Sequence, residues 1–313
     1  MNKIFNYSAN KIKFLILPVA LIVVGIVMYF VHGGFNFDVE FMGGIRMQVN
    51  IGQTFENDKI AEIVKDATGL DAVVQKSGAT GDVAIIKLPA DDSADNGEAN
   101  KNSVFEALKA EYSLDDEALM SVQSASPSFG LEVQRKALTY TLFAIFCMLI
   151  YIIIRFDWRS GIMAVITLAL NVLVMCAVYA ITNIAINTTF IAAMLTVVGY
   201  SINNTIVIFD RIRENTKSRR RDETITAMTN RSIQETLGRT INSTITTLIT
   251  IVLIYILGVS AIKQFALPLI IGVVIGAYTS IFTASTFWAA WKEADLEAKA
   301  KAAAERRASK KNK

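Results

Sequence analysis

Histidine and cysteine are scarce in this chain of 313 residues, which contains one histidine and two cysteines. A zinc site or a Ser/His hydrolase needs more partners than His32 provides, so the sequence argues against both. Cys147 and Cys176 lie inside apolar stretches, where a thiol packs as a small hydrophobe and gives no information about the redox compartment. We therefore expect no metal site, no cofactor and no enzymatic activity.

Charge is also missing from long parts of the chain. Charged residues make up 19% of it, against about 25% in soluble proteins. None occurs between Arg159 and Asp210, between Arg239 and Lys263, or between Lys263 and Lys292. Each gap is longer than the stretch of about 20 apolar residues that crosses a bilayer as a helix. The sequence therefore predicts a polytopic membrane protein.

Six apolar segments are long enough to span a membrane. The first follows several lysines, as a signal peptide would, but its apolar run is longer than usual and no small-residue cleavage site ends it. We therefore expect it to remain as a transmembrane helix. The six predicted spans are residues 14–31, 137–154, 161–181, 190–209, 241–258 and 265–291.

The distribution of lysine and arginine predicts the orientation of these spans. Basic residues concentrate before the first span, between the fourth and fifth spans, and after the last. The positive-inside rule places these regions in the cytoplasm, where their basic side chains would also contact anionic lipid. The predicted organisation is a cytoplasmic N-terminus (1–13), a first helix (14–31), an extracytoplasmic region (32–136), a five-helix domain (137–291) with a cytoplasmic loop (210–240), and a cytoplasmic basic tail (292–313).

The region outside the membrane is predicted to be a small α+β domain. Its elements follow the order β-α-β-β-α-β, which is that of a ferredoxin-like sandwich, a fold that hosts many functions. Basic patches with interleaved aromatics are missing, which argues against nucleic-acid binding. The predicted elements are a half-buried strand at 45–51, a helix at 57–68, a hairpin of two apolar runs at 72–76 and 82–88, a loop at 91–102, a second helix that begins with a capping box of Ser103 and Glu106, and a last strand at about 118–125.

Two short connectors join this domain to the membrane helices. Gly43 and Gly44 follow the first span, and a glycine pair permits backbone angles or close approaches that other residues resist. Pro127 and Gly130 precede the second span. The four residues are either ordinary linker residues or a pair of hinges about which the outer domain swings.

The fourth span carries an unusual group of polar side chains at its centre. Ser201, Asn203, Asn204 and Thr205 lose water that hydrocarbon cannot replace, so we expect them, with Asn171 of the third span, to form a wet or partner-facing surface, with a tight helix bundle as the alternative. Small and hydroxyl residues in spans five and six indicate close helix packing. The candidate residues for transport coupling are Asn171, Ser201, Asn203, Asn204, Thr205, Asp210, Arg239 and Asn242, and the packing residues of span six are Gly272, Gly276, Thr279, Ser280, Thr283, Ser285 and Thr286.

Four motifs in order resemble the SecF subunits of the bacterial SecD/SecF protein-export complex, a branch of the resistance–nodulation–division superfamily. The resemblance implies an accessory to the Sec channel that pairs with a SecD subunit and helps to move preproteins with the energy of the proton gradient. It covers nearly the whole chain. The motifs are Phe41-x-Gly43-Gly44, Ser126-Pro127-x-x-Gly130-x-Glu132, the run from Gly199 to Asn215, and Arg239-Thr240-Ile241-Asn242.

One departure from the family pattern concerns the coupling ion. The resemblance implies aspartates where this chain has Asn171 and Asn204, and an amide cannot carry a proton at physiological pH. Three accounts stay open: the SecD partner supplies the titrating group, the polar cluster binds sodium, or coupling is lost and the subunit is structural. We favour the first.

Three other classes of protein are rivals to an export subunit. Half of a small-molecule or lipid exporter of the same superfamily is the nearest rival, although one outer segment of this size is small for a substrate duct. An intramembrane enzyme would need a histidine, an acid pair or a Ser/Lys site inside the spans. A purely structural binding module is the third.

Overall fold

The structure, a computed structural model, describes residues 5–78, 80–90, 96–155, 157–219 and 223–311. Residues 91–95 of the predicted loop, and Arg220 and Arg221 of the basic segment, lie outside these ranges. The chain divides into two compact units. The membrane-helix unit comprises Met1–Phe35, Leu142–Ile184 and Thr189–Lys313, and the α/β unit comprises Asn36–Thr141 and Ala185–Thr188.

The protein is mostly helical. Across the described residues, six helices are long and apolar enough to cross a membrane. Their order along the chain agrees with the six apolar segments of the sequence, and each helix extends beyond its segment. The long helices are α1 (Lys11–Val31), α5 (Pro127–Arg155), α6 (Trp158–Thr182), α7 (Thr188–Lys217), α8 (Ile225–Leu257), and a last helix built from α9 (Ser260–Thr279), a π-helical turn (Ser280–Ala284) and α10 (Ser285–Lys311).

The α/β unit contains a four-stranded antiparallel sheet in the order β2-β3-β1-β4. Its core lies between the sheet and the two longer helices, where Met47, Ile60, Ile86 and Leu108 are fully buried. The elements of this unit are α2 (Val39–Met42), β1 (Gly44–Asn50), α3 (Asn57–Thr68), β2 (Val73–Ser77), β3 (Val83–Leu88), α4 (Asn96–Tyr112) and β4 (Leu119–Ala125).

Two local predictions were wrong because tertiary contacts extend helices. Helix α4 begins at Asn96, so Ser103 lies inside the helix and does not cap it. The first turn of α4 packs on the sheet, since a Cβ at Gly97 would lie 3.8 Å from the Ile45 side chain. The segment 210–240 is mostly helix: α7 continues to Lys217, and Thr224 caps α8 by accepting the amide hydrogen of Ala227 at 3.1 Å.

The first half of strand β1 is buried on both faces, whereas the sequence predicts a half-buried strand; further along, Gln48 is half-buried and Asn50 is exposed, as the alternation predicts. Arg46, at a polar position of the alternation, is only 6% exposed because it pairs with the fully buried Asp38 at 2.8 Å. Lys87 on β3 approaches the same carboxylate at 3.8 Å and is buried as well. Burial lowers the pKa of Lys87, because it penalises the charged ammonium more than Asp38 stabilises it.

The two connectors lie close together within the α/β unit. Gly44 has φ +117°, and a Cβ there would lie 2.1 Å from the Leu88 carbonyl oxygen. A Cβ at Gly130 would lie 2.6 Å from the Phe41 carbonyl oxygen, which also accepts a hydrogen bond from the Gln134 side chain. Gly43 also has a positive φ of 78°. These glycines therefore allow close backbone approach, and swinging about them stays a prediction.

Pro127 is the first residue of α5. Its side chain lies outside the described part of the structure. A proline is well tolerated at the first helical position, since the amide hydrogen that it lacks would have no partner within the helix. The proline therefore marks the beginning of a helix that runs directly from the connector into the second apolar segment.

Substituting Gly44 by alanine should destabilise the sheet, because the new Cβ would collide with the Leu88 carbonyl in a backbone conformation that alanine resists. We expect a loss of about 3 kcal/mol, measured as faster amide hydrogen exchange across β1 and β3. Gly52→Ala is the matched control: Gly52 also has a positive φ (+69°) but has open space around it, so its cost should be about 1 kcal/mol. Equal effects would contradict the steric argument.

Candidate functional site

A buried polar network joins three helices of the membrane-helix unit. The amide nitrogen of Asn171 on α6 donates to Ser201 Oγ on α7 at 2.6 Å. Thr279 Oγ1 on α9 donates to the amide oxygen of Asn171. All three side chains are fully buried. The structure therefore brings Asn171 and Ser201 together, as the sequence predicts, and satisfies both ends of the Asn171 amide.

The π-helical turn at Ser280–Ala284 adds hydroxyl groups to this network. Ser280 Oγ lies 2.9 Å from Thr205 Oγ1 and donates to the Ser201 carbonyl oxygen at 3.2 Å. Single π-helical turns inside α-helices are frequent at functional sites. From the sequence, Thr279 and Ser280 are expected to be packing residues. The high density of hydroxyl residues in span six is the only sequence signal that they join a hydrogen-bonded network.

Two glycines bring the last helix close to α7. A Cβ at Gly272 would lie 2.3 Å from the Val197 side chain, and one at Gly276 would lie 3.1 Å from Ser201 Cβ. The small-xxx-small spacing therefore does what the sequence predicts, which is to let two backbones approach. Without this approach, Ser280 would not reach the hydroxyl of Thr205.

Asn204 lies inside the helix bundle without a complete set of partners. Its side chain is only 2% exposed, yet its amide nitrogen makes no hydrogen bond within the described structure. An unsatisfied buried donor costs about 1–3 kcal/mol. Within the described residues, Asn204 is thus the buried member of the predicted cluster whose amide nitrogen the chain itself leaves without a partner.

The remaining two candidate amides do not belong to the network. Asn203 points away from the buried face of α7, and Asn242 is exposed on α8. Within the described residues, neither side-chain amide has a hydrogen-bond partner. The expectation of one shared polar cluster was therefore too simple: neighbouring residues on a helix lie about 100° apart, so Asn203 and Asn204 face different surroundings.

Asp210 and Arg239 line an open cleft of about 630 Å³ where the end of α7 meets the first half of α8. Arg211 of α7, which also lines the cleft, forms ion pairs with Glu235 of α8 at 2.6 Å and with Glu214 of its own helix at 2.7 Å. Both predicted charges therefore lie beside a water-accessible surface, whereas the polar network is dry and built from amides and hydroxyls.

The chemistry of the network limits what it can do. It contains hydrogen-bond donors and acceptors but no carboxylate, imidazole or ammonium group, so it cannot carry a proton by titration. Among the described residues, no group of three or more His, Cys, Asp or Glu side chains is placed to hold a metal ion. The arrangement suits association between helices.

The chain is similar to known protein-export proteins. Residues 104–294 match the family described as protein export membrane protein SecD/SecF, C-terminal. The protein translocase subunit SecF of Alicyclobacillus acidocaldarius is 33% identical over 91% of this chain and 92% of its own length. The protein translocase subunit SecF of Haemophilus influenzae is 34% identical over 85% of this chain and 79% of its own length.

A solved structure gives the same picture. The crystal structure of SecDF, a translocon-associated membrane protein from Thermus thermophilus, superposes with a TM-score of 0.80 and 29% identity. The match covers 93% of this chain but only 39% of the SecDF chain. This chain therefore spans well under half of the length of that protein.

Replacing Asn171 by alanine should destabilise the helix bundle by about 2 kcal/mol, because Ser201 and Thr279 would each lose a buried partner. Asn242→Ala is the matched control, since it removes the same amide from an exposed position and should change stability by less than about 0.5 kcal/mol. Thermal unfolding of the purified chain in detergent measures both. Similar effects of the two substitutions would contradict a structural role for the network.

Proposed function

The chain belongs to the SecD/SecF family of protein-export membrane proteins, and we propose that it is an accessory subunit of the Sec machinery that pairs with a SecD-like chain to assist preprotein movement across the membrane. The match to relatives named as protein translocase subunits, over most of the length of both chains, carries this proposal. The proposal assigns the chain a role in transport and no covalent chemistry.

A separate SecD-like chain is the partner that the comparison supports. In the Thermus protein, the part that resembles this chain is fused to a longer remainder within one SecDF polypeptide. The relatives named as SecF subunits are matched over most of their own length, which supports a partner that corresponds to the remainder of the SecDF polypeptide. Contact with the Sec channel and with preproteins extends the same proposal.

The exposed amides of α7 and α8 support a partner inside the membrane. The hydroxyls of Thr246 and Thr250 donate to carbonyl oxygens one turn earlier in their own helix, so they can face lipid at little cost. Asn203 and Asn242 have no such partner, and an unsatisfied amide in hydrocarbon is costly. We infer that these two amides face the SecD-like chain.

The architecture of the α/β unit fits a domain outside the membrane. The strand order β2-β3-β1-β4, with two helices on one face, supports a ferredoxin-like sandwich. The long apolar helices before and after it support an arrangement of one span, the outer domain and five further spans, with both termini in the cytoplasm. In that arrangement the α/β unit is on the side of the membrane where an exported chain emerges.

The coupling ion is proposed to act through the partner. The network around Asn171 and Ser201 has no titratable group, so a carboxylate of the SecD-like chain would carry the proton while this chain provides a polar scaffold. The unpaired amide nitrogen of Asn204 supports this account, because it could donate to such a carboxylate. Sodium bound by amide and hydroxyl oxygens, and a structural subunit without coupling, are the two alternatives.

Assembly tests the partner surface. Changing Asn203 or Asn242 to leucine should reduce copurification of the SecD-like chain about threefold for each amide, because a hydrogen bond between helices in a membrane contributes about 0.6 kcal/mol. Thr246→Val is the control and should leave recovery unchanged, since its hydroxyl is already satisfied within α8. If neither leucine variant loses the partner, the two amides lie elsewhere. Copurification of Sec channel components would also distinguish an export subunit from half of a small-molecule exporter.

A preprotein translocation assay tests the function and the ion. Membrane vesicles containing the complex should export preprotein more slowly when the chain is removed, and collapsing the proton and sodium gradients separately identifies the coupling ion. Asn204→Asp should retain export, because the resemblance implies an acid at this position. Asn204→Ala should lower it. Export and ion dependence that do not change in Asn204→Ala would show that Asn204 serves packing only.

A further inference from the structure

The turn between α6 and α7 belongs structurally to the α/β unit. Residues 185–188 group with that unit, although α6 ends at Thr182 and α7 begins at Thr188. Ile186 forms a parallel bridge with Phe37. Its amide nitrogen donates to the Asn36 carbonyl at 2.7 Å, and its carbonyl accepts from the Asp38 amide at 2.9 Å.

The first residue of α7 is also held from the α/β unit. The Glu40 carboxylate accepts the backbone amide hydrogen of Thr188 at 2.9 Å and the hydroxyl hydrogen of the same residue at 2.5 Å. A carboxylate at this position compensates free amide groups at the beginning of a helix and interacts favourably with its dipole. The first residue of α7 is therefore capped by a carboxylate from a distant segment of the chain.

The segment that holds the turn is itself fixed by buried charges. Asp38 accepts from its neighbour, the Val39 amide, and from Arg46 at 2.8 Å. Lys87, also buried, donates to the side chain of Asn36 at 2.9 Å. Removing one partner from such a buried group costs several kcal/mol. Residues 36–40 are therefore held against strands β1 and β3, which carry Arg46 and Lys87.

We infer that residues 36–40 and 185–188 form a permanent clasp that positions the beginning of α7 on the α/β unit. Glu40, Asp38 and Ile186 are then positioning residues. Because the chain is continuous, a displacement of the α/β unit pulls on α7, the helix that carries Ser201 and Asn204. This inference rests on the proposed function, since it assigns the clasp the task of passing movement between the outer domain and the polar network.

A clasp that transmits movement differs from a latch that opens during each cycle. The bridge at Ile186 uses two main-chain hydrogen bonds, and the segment behind it is held by buried charges. Opening would expose or separate these charges, whereas keeping the clasp closed requires only that α7 follow the α/β unit. The two possibilities predict opposite effects of a covalent lock.

The first test loosens the clasp in the full chain, within the complete complex. Ile186→Pro removes the amide hydrogen donated to Asn36, and Glu40→Gln removes the charge that faces Thr188. We expect Ile186→Pro to lower the rate of preprotein translocation about fivefold and Glu40→Gln to lower it less, in line with typical coupling between sites. Amide hydrogen exchange should rise at Thr188 while protection across β1 and β3 is kept, which excludes unfolding of the sheet.

Insertions of equal length at three positions test whether the clasp acts on α7, and two of them are controls. A Gly-Ser-Gly insertion after Asn183 gives slack between α6 and the clasp, and the same insertion after Gly258 gives slack between α8 and α9. A third insertion, after Thr188, separates the clasp from the rest of α7. Only the insertion after Thr188 should slow translocation markedly, because only that one lets α7 stay behind when the clasp moves. Equal rates for all three insertions would overturn the inference.

The second test locks the clasp. Phe37→Cys and Ile186→Cys, in a chain whose Cys147 and Cys176 are changed to serine, would form a disulfide, since bridge partners lie within the about 4.4–6.8 Å that it spans. Translocation that persists under oxidising conditions supports a permanent clasp. Translocation that stops and returns on reduction would show a latch that must open, and would overturn the inference.

These outcomes separate failure of the inference from failure of the proposed function. If vesicles without the chain export preprotein as fast as vesicles with it, the proposed function is wrong and the clasp variants are scored by hydrogen exchange at Thr188 alone. If the chain speeds export but the loosened variants match the unmodified protein, the proposed function stands and the inference fails.

Discussion

The need to satisfy polar groups inside a dry helix bundle is the constraint on which the rest of this structure depends. Asn171 is fully buried, and both ends of its amide are bonded, to Ser201 on one side and to Thr279 on the other. Those two bonds fix the mutual register of three helices. The same requirement explains the glycines at 272 and 276, because they let α9 approach α7 closely enough for the hydroxyl groups to meet.

Polar groups in the membrane-helix unit differ in how far the described chain compensates them. Thr246 and Thr250 bond to their own helix, and Asn171 bonds to neighbouring helices. Asn204 has a buried amide nitrogen that the described chain does not compensate. The Asn171 amide is thus bonded within the chain at both ends, whereas the amide nitrogen of Asn204 is not. This pattern is expected of a subunit whose missing hydrogen bonds are made by a second chain.

The buried charges of the α/β unit follow a different principle. Asp38, Arg46 and Lys87 are buried in the α/β unit, and their mutual pairing offsets part of the cost of desolvation. Asp38 belongs to the segment whose main chain bonds to Ile186 in the turn at 185–188. The α/β unit thus compensates buried polar groups with paired charges, whereas the membrane-helix unit bonds amides to hydroxyls.

The sequence by itself determined the number and order of the long apolar helices and the order of elements in the α/β unit, because these depend on composition and periodicity along the chain. The family was indicated separately, by four motifs that resemble those of SecF subunits. It also identified Asn171 and Ser201, since polar residues in an uncharged apolar run have few ways to be satisfied. Only the tertiary structure decided that Asn203 faces away while Asn204 is buried, because helical periodicity orders residues around an axis without saying which side meets a neighbour. The burial of Arg46, the π-helical turn at Ser280 and the bridge at Ile186 also needed the tertiary structure, since each depends on contacts between residues far apart in the chain.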